Sequence, residues 1–161
     1  MSRNRYQLLS TFLHFSDNDA RVPPGEEGYN PLFKVRPIIN LVDPIYRSAY
    51  APDTQLAIDE SMIKFKGKIF FRQYLPAKPT KWEFKTFVLA ESNTGYGLKF
   101  MVYTGKNTFH ADNSSPLSIT EQVCLEMVKG YENQGYELYM DNFYSSPQLY
   151  VALKNIGNSE A

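Results

Sequence analysis

The spacing of the apolar residues changes at Ala51-Pro52-Asp53, and this change limits the fold more than any other feature of the chain. Upstream, the intervals are helical. Tyr6, Leu9 and Leu13, with Phe12 beside them, give one apolar face to a helix over residues 3–15. Leu32, Val35, Ile38, Ile39, Val42, Ile45 and Tyr46 do the same for a second helix, which Pro37 and Pro44 are placed to kink or divide. Ser16-Asp17-Asn18-Asp19 and Pro23-Pro24-Gly25 mark the loop between them. Downstream, the runs are short and rich in aromatic and β-branched residues. They cover 55–65, 68–75, 85–91 and 98–104, with Gly67 and Asn93-Thr94-Gly95 as turns. Such short connections predict an antiparallel meander.

A polar loop over 105–116 follows. Ser118 and Glu121 have the spacing of a capping box, and Ile119, Val123, Met127 and Tyr131 recur every four residues. These signals predict a helix to about Asn133, stopped by Gly135. A short strand over 136–140 then leads into Asp141, and Pro147 suits the first turn of a last helix that Gly157 ends. The order of two helices, a strand meander, helix, strand and helix is α+β, divided into a helical lead-in over 1–52 and a mixed region over 53–161.

A chain of 161 residues is long enough for one domain with a sizeable core, and its 12 tyrosines and 11 phenylalanines favour a packed body over a disordered tail. Lys plus Arg equals Asp plus Glu at 17 each, so net charge selects no partner. The distribution says more. Lys64, Lys66, Lys68, Arg72, Lys78, Lys81 and Lys85 fall in one stretch whose sole acid is Glu83, a local field able to attract a polyanion or simply a solvated face. Lys64, Lys66 and Lys68 alternate at strand spacing and are expected on one face. Cys124 stands alone, so no intrachain disulfide and no zinc site are expected. The basic N-terminus before Tyr6 to Phe15 reads as a helix and not a secretion signal, because polar residues interrupt it. No stretch is long enough to span a bilayer.

Two aspartates stand out. Asp59 follows Leu56-Ala57-Ile58, and Asp141 follows Leu138-Tyr139-Met140. A carboxylate in or at the end of an apolar strand costs desolvation unless it is paired or holds a cation. Two carboxylates on adjacent strands could hold Mg²⁺, which prefers oxygen ligands and keeps several waters. Turn formation or helix capping is the plainer role, and Asp141 lies only a few residues before a helix.

Several longer strings bear on that choice. Ala57 to Lys68, Gln73 to Pro79, Trp82 to Lys85, Val102 to Lys106 and Met140 to Ser146 resemble, in order and with similar gaps, the core of the piggyBac-type transposases. Arg3 to Phe15 and Leu32 to Pro37 resemble that family's helical lead-in. The resemblance covers nearly the whole chain. It implies a ribonuclease-H-like core whose family chemistry is metal-dependent DNA strand cleavage and transfer, by cut and paste at TTAA sites. It implies three metal-binding aspartates, of which Asp59 and Asp141 match the first two as catalytic and metal ligands for Mg²⁺ or Mn²⁺. The third would lie beyond Ala161, so the chain is expected to hold an incomplete core, lacking also the family's cysteine-rich zinc finger. The implied partner is DNA, with a homodimer in the full-length form and a nuclear location. The alternative is a domesticated, non-catalytic domain that binds DNA or protein.

Under this reading Lys78, Lys81, Lys85 and Arg72 neutralise phosphates, and Trp82 is a base-stacking residue or a packing anchor. Glu60 points away from Asp59 across the strand and is not expected as a ligand. His14 and His110 have no partner pattern and are expected at the surface or in packing. The last helix carries Leu149, Val151, Leu153 and Ile156 as an apolar face expected to be only partly covered.

Overall fold

The computed structural model describes residues 1–79, 81–105, 108 and 114–157. The chain divides into two compact units, Met1–Ile45 and Tyr46–Ala161. His110, expected in a surface or packing role, lies outside the described residues.

In the first unit, α1 runs Arg3–Phe12 behind an N-cap in which Ser2 accepts from the Arg5 N–H. The helix ends two residues before His14, whose Nδ1 lies 2.8 Å from the Phe12 carbonyl. The apolar face forms as the spacing predicts, but Tyr6, Leu9, Phe12 and Leu13 are all exposed. A single-turn 3₁₀ helix at Asn18–Ala20 is capped by Asp17. Ser16 Oγ donates to the Phe33 carbonyl at 2.7 Å and fixes the return of the loop. Helix α2, Arg36–Ala49, whose residues from Tyr46 on belong to the second unit, accepts Pro37 in its first turn and Pro44 inside.

The second unit holds a five-stranded sheet. Its strands are β1 (Gln55–Lys64), β2 (Gln73–Tyr74), β3 (Trp82–Glu91), β4 (Gly97–Val102) and β5 (Glu137–Met140). Strand β3 pairs antiparallel with β1 over Leu56↔Glu91 to Lys64↔Glu83. Its other edge is shared by β4, over Thr86↔Val102 to Ala90↔Gly97, and by the two residues of β2. Strand β5 adds on the far side of β1 and runs parallel to it. A parallel neighbour needs a crossover, and α3 (Ile119–Val128) lies between β4 and β5 in the chain to provide one. Helix α4 (Pro147–Gly157) follows β5. The α+β class expected from the sequence is the one found.

One face of the sheet carries Leu56 and Ile58 from β1 and Phe87 and Leu89 from β3. It packs with Val123, Cys124 and Met127 of α3, with Tyr144, and with Leu149 of α4, all at most 4% exposed. Val151 points to solvent while Leu153 and Ile156 are partly covered, close to the expectation for α4. Glu121 joins the two helix starts. It completes the predicted capping box with Ser118 and also accepts from Ser146 Oγ, which in turn caps α4 through the Leu149 N–H.

Three local expectations fail for identifiable reasons. The run 68–75 is extended only at Gln73–Tyr74. Phe71 turns in instead and sits edge-on to Phe84 at 6.4 Å, as Phe65 just before the run does at 5.8 Å, while Phe70 stays exposed. Gly67 sits so near the Phe65 ring that a Cβ there would come within 2.5 Å. Because β1 ends at Lys64, Lys66 and Lys68 fall outside the strand and the expected lysine face does not form. Helix α3 stops at Val128 and not near Asn133, because Gly130 takes φ +93°, a left-handed conformation that ends the helix five residues before Gly135.

Candidate functional site

The parallel pairing of β1 with β5 runs Gln55↔Glu137, Leu56↔Leu138, Ala57↔Tyr139, Ile58↔Met140. Paired residues on parallel strands project to the same side of a sheet, and successive residues alternate. Carried one residue further, the register would set Asp141 beside Asp59, on the side opposite Leu56 and Ile58. Strand alternation puts Asp59 on the face away from α3, and both carboxylates are exposed. Each accepts from the backbone N–H of the next residue, Asp59 from Glu60 at 2.7 Å and Asp141 from Asn142 at 2.6 Å. Neither forms an ion pair among the described residues.

The donor set is hard oxygen only, which fits a single Mg²⁺ or Mn²⁺ that retains waters in its remaining positions. It does not fit zinc, and among the described residues no group of three His, Cys, Asp or Glu side chains converges to hold a metal.

The other face of the same strand ends carries a different arrangement. Glu60 points to the helix side, as strand alternation requires, and its Oε1 accepts from Lys85 Nζ at 2.6 Å. Both side chains are largely buried, at 22% and 18% exposed. The Lys85 ammonium also lies 4.7 Å from the centre of the Phe87 ring and 5.4 Å from that of Phe143. Burial acts to raise the Glu60 carboxyl, but the Lys85 hydrogen bond, the nearby Tyr144 hydroxyl and the Lys85 charge together outweigh it and leave it lowered. Tyr144, 1% exposed, brings its hydroxyl towards Glu60. Burial and that carboxylate push the phenol well above its ordinary range. Beneath them, burial with the Glu121 and Glu60 charges pushes the Cys124 thiol up to about 12, so it is an inert packing residue.

The basic residues singled out in the sequence do not form one patch. Lys85 faces the helix side and is engaged by Glu60. Lys78, half exposed, reaches Glu83 at 3.4 Å. Lys81 is exposed. The Arg72 guanidinium lies 3.9 Å over the Trp82 ring and donates to the Gly67 carbonyl at 3.0 Å. Tyr74 pairs with Trp82 across β2 and β3, their rings 4.9 Å apart. Trp82 has the same parity on β3 as Val88, the partner of Asp59, so this stack lies on the aspartate face of the sheet. Sequence reading found Arg72 and Trp82 singly but not their contact, because it depends on a turn of unforeseen shape. It also passed over Glu60 as more than a non-ligand. The pairing with Lys85 follows only from the β1–β3 register, which sets Lys85 opposite Met62 and diagonal to Glu60.

Comparison with known proteins shows which family the chain is similar to. A transposase family, described as Transposase IS4, matches residues 1–159. Human PiggyBac transposable element-derived protein 3 is 26% identical over 160 residues, which cover 98% of this chain and 26% of that protein. Human PiggyBac transposable element-derived protein 2 is 23% identical over 158 residues, covering 96% and 25% respectively. The chain thus spans about a quarter of the length of these relatives. Among solved structures, the cryo-EM structure of a piggyBac transposase synaptic complex with hairpin DNA superposes with a TM-score of 0.82 at 29% identity. That match covers 95% of this chain and 31% of the other.

Proposed function

Since the chain belongs to the piggyBac-type transposase family, we propose that it supplies two of the metal-binding acids of a DDE-type site for DNA strand cleavage and transfer. The observation that supports this reading is the parallel pairing of β1 with β5 up to Ile58↔Met140, the residues just before Asp59 and Asp141, both of which are exposed. The family uses divalent metal, and here Asp59 and Asp141 are the residues that would hold Mg²⁺ or Mn²⁺. A divalent ion so held would polarise a phosphodiester oxygen and lower the pKa of an attacking hydroxyl. The protein's own part is to fix two carboxylates on rigid strands and present them to solvent where a DNA backbone can approach.

DNA is the proposed partner, met by Arg72, Lys78 and Lys81 with the Trp82 ring beside them. Lys85 contributes indirectly, since its charge is already matched by Glu60. A nuclear location and a homodimer of the full-length form belong to the same reading. Two acids set the geometry of at most one ion, whereas a two-metal centre needs further fixed ligands. The isolated 161-residue chain is therefore expected not to cleave DNA. The second reading, a non-catalytic DNA-binding or interaction domain, draws on the same shortage of a third acid among the described residues.

The test is Mn²⁺- or Mg²⁺-dependent nicking of a transposon-end duplex by the purified chain, beside an Asp59→Ala, Asp141→Ala double variant. The expected result is no nicking above the double variant, together with Mn²⁺-induced thermal stabilisation that the double variant lacks. Stabilisation equal in both proteins would remove the metal site. Metal-dependent nicking would overturn the expected inactivity.

A further inference from the structure

Immediately after Asp141 the chain makes a tight turn. The Tyr144 N–H donates to the Asp141 carbonyl at 3.0 Å, and the Ser145 N–H to the Asn142 carbonyl at 3.2 Å. The turn swings residues 143 and 144 around the end of the sheet, from the aspartate side to the helix side. There Phe143 meets the Lys85 ammonium, and Tyr144 sits among Phe87, Cys124 and Glu60. The Asp141 backbone is thus held from behind, by contacts on the opposite face of the sheet. The same Glu60 that anchors this arrangement is the next residue after Asp59, and its N–H donates to Asp59 Oδ1. One ion pair therefore touches the supports of both carboxylates.

We propose that Glu60 and Lys85 are positioning residues: their ion pair, seated against Phe87 and Phe143 and facing Tyr144, sets the turn after Asp141 and so the placement of Asp141 relative to Asp59. This rests on the proposed role of the two aspartates. The structural part, that the ion pair orders the turn, stands on contacts alone. Three features distinguish this from ordinary packing. The pair is charged on both sides and largely removed from water, an arrangement that strongly fixes geometry because either charge left alone would be costly. It bridges β1, which carries Asp59, to β3, and through Phe143 to the segment that carries Asp141. Its cationic member is cradled by rings, so the ammonium has little freedom to move without losing both partners.

The experiment uses the whole chain with the double substitution Glu60→Gln, Lys85→Met. It removes both charges at once, so neither is left buried and unpaired. Lys85→Arg keeps the charge and serves as the conservative rescue, and Lys81→Met is the exposed control. Two readouts are taken. The first needs no metal: amide hydrogen exchange of Tyr144 and Ser145, followed by NMR. The expectation is about tenfold faster exchange in the double variant than in the parent or Lys81→Met, with Lys85→Arg close to the parent and the α3 amides unchanged. The second is Mn²⁺ affinity by titration calorimetry, expected to fall at least about tenfold in the double variant and to recover in Lys85→Arg. Unchanged exchange at Tyr144 and Ser145 would overturn the inference whatever the metal does. Faster exchange with no Mn²⁺ binding by the parent chain would keep the positioning of the turn and sink the metal reading instead. Faster exchange with unchanged Mn²⁺ affinity would show that the turn's order does not govern the acids, and would overturn the inference as well.

Discussion

Neighbouring lysines in this chain have different work to do. Lys81 is exposed, whereas Lys85 is turned inward against Glu60. Lys81→Ala should therefore leave thermal stability unchanged and flatten the log–log salt dependence of DNA affinity by about one unit, the signature of one lost phosphate contact. Lys85→Ala should do the reverse. It leaves the Glu60 carboxylate largely buried without its cation, which costs about 1.5–3 kcal/mol by urea denaturation. An equal effect of both substitutions on the salt slope would put Lys85 on the DNA surface after all. At the start of α3, Ser118→Ala should cost about 1 kcal/mol, because the Glu121 N–H loses its acceptor.

Among the elements, the β3–β4 connection is held by one carboxylate. Glu91 accepts from the Asn93 N–H at 3.0 Å and the Thr94 N–H at 2.7 Å, and from the Thr94 hydroxyl. The side chain is closed off from solvent by its own turn and not by depth in the core, since few other atoms surround it. The Thr94 hydroxyl bond leads in holding its carboxyl below the ordinary 4.5. A lowered carboxyl contributes stability that is fully present above its unfolded value and is lost as pH falls through the folded one. Exchange of the Asn93 and Thr94 amides, corrected for intrinsic rates, should thus stay constant from neutral pH to about 4.5 and lose protection below it. Glu91→Gln should remove the pH dependence. Just beyond α3, Gly130→Ala forces a side chain into φ +93° and should cost about 1–2 kcal/mol. A stabilising effect there would mean that α3 can extend.

For the molecule as a whole, the proposed pair of aspartates requires the assembled sheet, because β1 and β5 are joined through residues 82 apart in sequence. Metal binding should accordingly stabilise the entire second unit. At a Mn²⁺ concentration one hundred times the dissociation constant the gain is about 2.7 kcal/mol, provided the unfolded chain binds none. Asp59→Ala or Asp141→Ala alone should abolish it, since one carboxylate is a poor site. The midpoint of chemical unfolding with and without Mn²⁺ measures this directly. Net charge zero makes the DNA prediction equally local. Affinity should fall steeply with salt through the Arg72–Lys81 segment, not through a general attraction of the chain.

The helix starts, the alternation of the strands, and the positions of Asp59 within one strand and Asp141 at the end of another are written in local sequence, because capping, periodicity and turn chemistry act over a few residues. Ser118 with Glu121, Pro147 and the strand leading into Asp141 are legible for that reason. The family resemblance supplied the reason to pair Asp59 with Asp141, which neither aspartate announces by itself. Tertiary structure decided the rest. Whether 68–75 stays extended turned on Phe84 lying where Phe65 and Phe71 could reach it. Whether Lys85 faces DNA or Glu60 turned on the register between β1 and β3, and a shift of one residue would have reversed it. Register is set by the packing of a whole face against α3 and α4, so no window of sequence short enough to read by period contains it.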